Sequence, residues 1–258
     1  MSIITHYTKL SILLNHIFEQ YMFRLNTLSQ TNDPFEYSQR VMRLTSSREI
    51  PLDKFPKVHD SLILANHILK NKIKIGCFVR DSGDEEDIST WSSIKHPALW
   101  AHYGDNSSGV ALIFNKESLL KECKSIVNLK WQIKARNVDY TSEQEDLENP
   151  YMLEYENIHK FSEIELAQHI FELSEYWFYK HSDWQNEEEF RIMIYTDSKD
   201  PVYINIRPSL RAVIFGEKVS QFVRRSVGEY CNKQNIEPLS IEYNADVCRY
   251  FLRRVKLK

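Results

Sequence analysis

Glycine is scarce in this chain, 6 residues in 258, and none of the six sits in a Gly-x-Gly-x-x-Gly or Gly-x-x-x-x-Gly-Lys pattern. Neither a P-loop nor a Rossmann site is therefore expected, and a dinucleotide would have to be held by side chains. Cysteine is equally sparse. Cys77, Cys123, Cys231 and Cys248 show no Cys-x-x-Cys spacing, which argues against a zinc knuckle or a disulfide framework and for reduced, mostly buried thiols. No His-Glu-x-x-His, clustered metal spacing or Gly-x-Ser-x-Gly elbow occurs, so metal and serine hydrolase chemistry are weakly supported. No apolar run approaches the roughly 20 residues of a membrane span, and Met1 to Lys9 lacks a basic start and apolar centre, so a cytoplasmic, membrane-free protein is expected.

What is present describes an ordinary globular chain. Apolar residues make up 42% and charged residues 27%, which disfavours disorder for most of the length. The length suits one large domain, 1–258. The net charge of −3 hides an asymmetry: residues 201–258 hold 11 Lys/Arg against 5 Asp/Glu, leaving 22 against 31 for residues 1–200. Arg224, Arg225, Arg249, Arg253, Arg254, Lys256 and Lys258 can form a patch for a polyanion or a solvated basic face.

Periodicity sets out a mixed order of strands and helices. Ile3 to Tyr7 reads as a strand, with Thr8 as N-cap of a helix striped by Leu10, Leu13, Leu14, Ile17 and Phe18. Tyr21 to Leu28 suggests a strand carrying Arg24, followed by turn chemistry holding Asn32 and Asp33 in a tight loop. Residues 37–72 read as mostly helical, Ile73 to Val79 as a buried strand, and Asp81 to Asp87 as an exposed, mobile acidic loop. Gly109 to Phe114 is a clean strand before a helix from Lys116 to Cys123, with another strand near Asn137 to Tyr140. An acidic, helical insertion is expected near 141–180: residues 141–160 suit a loop or exposed helix, then Ser162 and Glu165 have capping-box spacing ahead of Ile170, Leu173 and Trp177. Val202 to Ile206, Leu210 to Phe215, Leu239 to Tyr243 and Cys248 to Leu257 read as strands, and Val219 to Tyr230 as an amphipathic helix. Short late connections imply a sheet that is not wholly parallel, in an α+β fold.

Three constellations carry chemistry. Trp184-Gln-Asn-Glu187-Glu188-Glu189-Phe-Arg191 brings acids and an arginine into a β-prone run. In an extended strand Glu187, Glu189 and Arg191 share one face and Glu188, Phe190 and Ile192 the other. In a cleft, one carboxyl would be raised unless Arg191 or a ligand compensates; on the surface the same pattern is a solvated strand start. Thr5-His6-Tyr7-Thr8 sits at a strand-to-helix junction, where an imidazole can donate to ribose hydroxyls or simply bond a backbone carbonyl. Leu99 to Asp105 offers His102 and Tyr103 to a planar ring or to the core.

Together, Asn32-Asp33-Pro34-Phe35-Glu36, Cys77-Phe78, Trp100-Ala101-His102-Tyr103 leading to Gly109-Val110, Trp184-x-x-Glu187-x-Glu189-x-Arg191 and Phe215-Gly216 resemble a large bacterial family of uncharacterised domains typical of defence islands and mobile elements. That resemblance runs from about residue 3 to residue 216. A second resemblance is to the ADP-ribosyltransferase superfamily, carried by the strand with His6, Tyr7 and Thr8 before a helix and by the late Glu187-x-Glu189. The superfamily uses an Arg or His early, a Ser or Tyr midway and a Glu late. It implies a mixed, largely antiparallel split β-sheet with flanking helices, NAD as substrate, no metal, and transfer of ADP-ribose to a macromolecular acceptor by a toxin or anti-phage effector, with an antitoxin as a further partner.

Carried onto this chain, Glu189 matches the catalytic glutamate and Glu187 faces the acceptor; Tyr103, or else Ser89-Thr90, fills the middle position, with Tyr103 stacking on nicotinamide. His6 matches the early position with Arg24 as rival, and Tyr7, Thr8, Asn32, Asp33 and His102 complete the cofactor set. Arg191 would keep the acids ionised or contact the pyrophosphate. Arg249, Arg253, Arg254 and Lys256 would favour RNA or DNA over protein as acceptor. The competing reading is a non-enzymatic module that binds a partner or nucleic acid; a nuclease is disfavoured for want of a metal-binding set.

Overall fold

The computed structural model describes residues 2–27, 30, 42–46, 55–84, 86–127, 132–142, 152–158, 160–247 and 249–256. In chain order the strands are β1 (Ile3–Thr8), β2 (Met22–Thr27), β3 (Arg43–Thr45), β4 (Ile73–Arg80), β5 (Val110–Asn115), β6 (Gln132–Asn137), β7 (Asp139–Thr141), β8 (Met152–Glu154), β9 (Tyr179–His181), β10 (Glu189–Tyr195), β11 (Val202–Asn205), β12 (Leu210–Phe215), β13 (Glu237–Asn244) and β14 (Arg249–Arg254). Ten of them form one sheet, and β3–β8 and β7–β9 make two small parallel pairs. The large sheet is antiparallel among its described pairs except at β12–β13, which the helix Gln221–Lys233 connects. The fold is mixed α/β with a largely antiparallel open sheet, as the strand and helix signals imply.

One junction in the sheet positions everything that follows. A strand has two edges, and β10 occupies one edge of β4 from Ile73 to Val79. The other edge is shared: β2 pairs only at its start, through Lys74 and Ile75, and β1 only at its end, through Val79 and Arg80. Between them β1 and β2 part, leaving Gly76, Cys77 and Phe78 without a strand partner on that side. From β1 the sheet continues through β5, β12 and β13 to the edge strand β14.

Period-two alternation along β10 sorts its residues between two layers. Phe190, Ile192 and Ile194 enter a core with Phe78, Phe114, Val213 and Phe215. Met193 and Tyr195 enter a second core with Ile73, Ile75, Ile170, Phe171 and Trp177. A third cluster, around Tyr7, Trp91, Trp100, Ile113 and Ile214, fills the space farther along the sheet. Glu189 and Arg191 share the face of Met193 and Tyr195, so their charge lies at the border of the second and third clusters.

Several sequence readings need correction. Among the described residues of 37–72, Phe55–Lys72 is helical as read, and the short strand Arg43–Thr45 was not expected. Thr8 ends β1; the N-cap is Lys9, and a π turn, Leu13–Ile17, interrupts the helical run before Phe18–Gln20. Asp81 is buried, because its carboxylate accepts from the backbone of Gly83 and Ser93. Ser162 and Glu165 do form a capping box on the helix Glu163–Leu173, which buries Leu166, Ala167, Ile170 and Phe171 over the second core. The apolar stripe outweighs the acidic composition there. Asn32, Asp33, Pro34 to Glu36, Glu143 to Pro150 and Lys258 lie outside the described residues.

Candidate active site

Where β1 and β2 part, a cavity of about 620 Å³ opens, a volume suited to a small-molecule ligand. One end is formed by Tyr103, Lys180, Glu187, Glu189 and Arg191, the middle by His6, Cys77 and Phe78, and the mouth by His16, Arg24, Asn26, Gln30 and Tyr203. Residues far apart in sequence reach it because β1, β2, β4 and β10 meet there.

The charged end is a closed network. Arg191 grips Glu189 with both prongs of its fork, Nε to Oε1 at 2.6 Å and Nη2 to Oε2 at 2.8 Å, and donates Nη1 to the Trp177 carbonyl. Lys180 donates to Glu187 Oε2 at 2.5 Å and to Glu189 Oε2 at 3.2 Å, with the Trp184 ring 4.8 Å from its Nζ. All four charges are buried. Burial alone would raise the Glu189 carboxyl; the Arg191 guanidinium, then the Lys180 ammonium, reverse this and hold it at about 2. Glu189 is thus a permanent anion near neutrality, and Arg191 serves to keep it so.

Glu187 reaches the cavity by a route other than the expected strand. Ser182–Glu187 is a 3-10 turn, Glu188 takes a left-handed conformation at φ 44°, and the strand begins only at Glu189. This reversal puts Glu187 and Glu189 on the same ammonium while Glu188 is displaced. β10 is also no edge strand, because β6 covers its outer side.

Tyr103 closes the end by donating its hydroxyl to Glu187 Oε1 at 2.6 Å. Burial, then the Glu187 charge, push its pKa well up, so the phenol remains a donor. Its placement follows from the helix Pro97–His102, started by proline at N1 and pinned by Trp100 Nε1 donating to Ile94 O. Beyond Gly104 the chain turns through Asp105, Asn106 and Ser107, all with positive φ. Asp and Asn tolerate that region better than most residues. Gly216 backs the turn: a Cβ there would stand 2.3 Å from the Ser107 carbonyl oxygen.

His6 bridges the gap in the sheet, its Nδ1 2.9 Å from the Cys77 carbonyl. A carbonyl can only accept, so Nδ1 carries the hydrogen. Burial lowers the imidazole pKa, against the smaller effect of that carbonyl, and the neutral ring is left with Nε2 as an acceptor. Toward a ligand the neutral His6 ring can therefore act only as an acceptor, at Nε2, the reverse of the donation expected from sequence. Phe23 meets the ring edge-on at 4.7 Å.

The remaining expected residues divide. Arg24 and Thr8 line the cavity, and Arg24 faces Tyr203 across the β2–β11 pair. Tyr7 lines it too, but its hydroxyl is committed to the Ser93 carbonyl at 2.7 Å and its ring packs on Trp100. His102 is exposed and is not among the described residues lining the cavity. Arg249, Arg253, Arg254 and Lys256 are exposed on or just after β14, four strands beyond β1 in the sheet, roughly 19 Å away at about 4.8 Å per strand. Lys180 and Tyr203 were missed. The signal for Lys180 was a lone lysine directly after the aromatic run Tyr176-Trp-Phe-Tyr179, a setting that buries what it carries.

Among the described residues no group of three or more His, Cys, Asp or Glu side chains is arranged to hold a metal ion, and no helix is long and apolar enough to cross a membrane. No curated protein and no solved structure matches the chain. Residues 99–192, the segment that supplies Tyr103, Lys180, Glu187, Glu189 and Arg191 but neither β1 nor β2, match the family described as "Protein of unknown function (DUF2971)".

Proposed function

We propose that the cavity binds NAD and that the protein cleaves its nicotinamide glycosidic bond, passing ADP-ribose to a macromolecular acceptor. One observation carries this reading: Glu187, Glu189, Tyr103 and His6 converge on a single cavity at a split in a largely antiparallel sheet. Cleavage runs through an oxocarbenium-like transition state with positive charge on the ribose, and a fixed carboxylate beside it lowers that state more than the ground state. Glu189 is held ionised for this role. A carboxylate has about four acceptor positions; Arg191 and Lys180 take three on Glu189, and the Cys77 thiol, a weak donor, takes another. A ribose 2′-hydroxyl displaces that thiol readily. Glu187 orients or deprotonates the acceptor, Tyr103 flanks nicotinamide, and His6 Nε2 accepts from the adenosine ribose. Arg24 at the mouth meets the pyrophosphate.

The acceptor in this reading is RNA or DNA, drawn by Arg249, Arg253, Arg254 and Lys256, and the protein acts as a toxin or anti-phage effector restrained by a partner. A non-enzymatic binding module is favoured by one observation, the mutual satisfaction of the four buried charges, which is also what a purely structural cluster achieves. Purified protein incubated with NAD labelled separately in nicotinamide and adenylate, with cell extract, decides between them. Free nicotinamide and label in RNA, DNA or protein are expected; bound but intact NAD, or no binding, overturns the enzymatic reading.

A further inference from the structure

Two carboxylates buried side by side cannot ordinarily both stay ionised: like charges a few ångströms apart drive one of them to hold a proton. Here one ammonium bonds both, at 2.5 Å to Glu187 Oε2 and 3.2 Å to Glu189 Oε2, which places those oxygens within roughly 6 Å of each other, close enough to couple. Lys180 is buried, on the three-residue strand β9. Among the described residues, the other groups bonded to the acids are Arg191 from β10, Tyr103 following the helix Pro97–His102, Cys77 from β4 and Tyr140 from β7, while the neutral His6 from β1 lines the same cavity. Tyr103 and Tyr140 are neutral donors or acceptors here, burial raising both phenols. Tyr103 orients the Glu187 carboxylate and Tyr140 accepts from the Glu189 backbone N–H, and neither balances charge. Arg191 is committed to Glu189 through both prongs.

We infer that Lys180 is the positioning residue that allows Glu187 and Glu189 to occupy one buried site as two anions, and that without its charge the pair takes up one proton. An ammonium bonded to two carboxylates has no lone pair to offer, so Lys180 is no nucleophile. Its effect is indirect. It fixes the protonation state in which the acids meet a ligand, and if the NAD reading holds, that state is the doubly ionised one a forming oxocarbenium needs.

The test does not require NAD. Full-length protein carrying ¹³Cδ-glutamate is titrated by NMR, the two signals being assigned with Glu187→Gln and Glu189→Gln. In Lys180→Met the upper titration of the pair is expected to rise above the ordinary carboxylate range, as like charges sharing a buried site require. Lys180→Arg should keep the wild-type titration, and Lys180→Met/Glu187→Gln should return Glu189 to low pH. Unchanged titration in Lys180→Met overturns the inference. Should that variant fail to fold, the double variant, which removes one charge of each sign, carries the test: recovered folding supports the inference, and equal instability overturns it. Where NAD is cleaved, Lys180→Met should also acquire an acid limb in kcat at the raised titration of the pair, with a smaller change in KM; absence of all NAD chemistry in the wild type would sink the enzymatic reading and leave the titration result standing.

Discussion

At the start of β10 and on β14 the chain places charges at similar density, yet the two regions differ in kind. Lys180 and Glu189 side chains are each 6% exposed and Arg191 1%, and each makes more than one charged bond. On β14 the Arg253 and Arg254 side chains are 66% and 79% exposed, each with a single partner on β13, Glu242 and Glu237. In the first region water is excluded, so charges can be compensated only by one another, and geometry becomes energy. In the second, water and salt do most of that work.

The largest effect expected is therefore at Arg191. Arg191→Met leaves Glu189 buried with only Lys180, shared with Glu187, and should lower stability by about 3–5 kcal/mol, read as a fall in the urea midpoint. A shift within about 1 kcal/mol would mean that Lys180 alone suffices. Next is Glu189→Gln, nearly isosteric. If the proposed chemistry holds, NAD cleavage should drop about 10²- to 10³-fold, on the order of 3–4 kcal/mol in barrier, with nicotinamide release as the readout; wild-type turnover would remove Glu189 from the mechanism.

Acid should distinguish the regions as well. The folded Glu189 carboxyl stays charged below the pH at which the unfolded chain takes up a proton, so the stability it contributes is full above about pH 4.5 and lost as pH falls toward 2. His6 adds an earlier step. Burial lowers its pKa in the fold, so below about pH 6.5 the unfolded chain binds a proton that the folded chain refuses, and stability declines. Melting curves from pH 7.5 to 3 should show two falls, and His6→Gln should shrink the upper one, leaving the part that His67, also lowered by burial, contributes.

How much of this was legible depended on range. β1, β4, β5, β10 and β12 follow from short local runs of apolar, β-prone residues, and the Ser162–Glu165 capping box from a four-residue spacing. Glu189 and Arg191 on one face were readable for the same reason. A split sheet was expected from the family resemblance alone, and no local pattern shows which strands part, because the gap arises from β1 and β2 sharing one edge of β4, a pairing between residues about 50 to 75 positions apart. Lys180 was hidden in a segment that reads as the continuation of a helical stripe through Trp177; the structure breaks it into a 3-10 turn and a three-residue strand, too short for any periodic signal. Glu187 was assigned to the right place for the wrong reason, the left-handed Glu188 substituting for strand geometry.

The smallest expected effect is on β14. Arg253→Ala and Arg254→Ala each break an exposed pair and should change stability by no more than about 1 kcal/mol, less at high salt. Their use is the sharper side of the contrast, because the same exposure that makes them weak in the fold leaves them available to a polyanion. If nucleic acid is the acceptor, log affinity for a short RNA or DNA should fall linearly with log salt, and the double alanine variant should flatten that slope by roughly 2 if each arginine neutralises one phosphate. Modification of protein acceptors should be unchanged by it. A salt slope identical to the wild type would leave β14 as a solvated edge, shielded by its own charge from pairing with another strand, and would move the acceptor surface to the rim around Arg24 and Tyr203, the exposed cation and ring that the cavity itself presents.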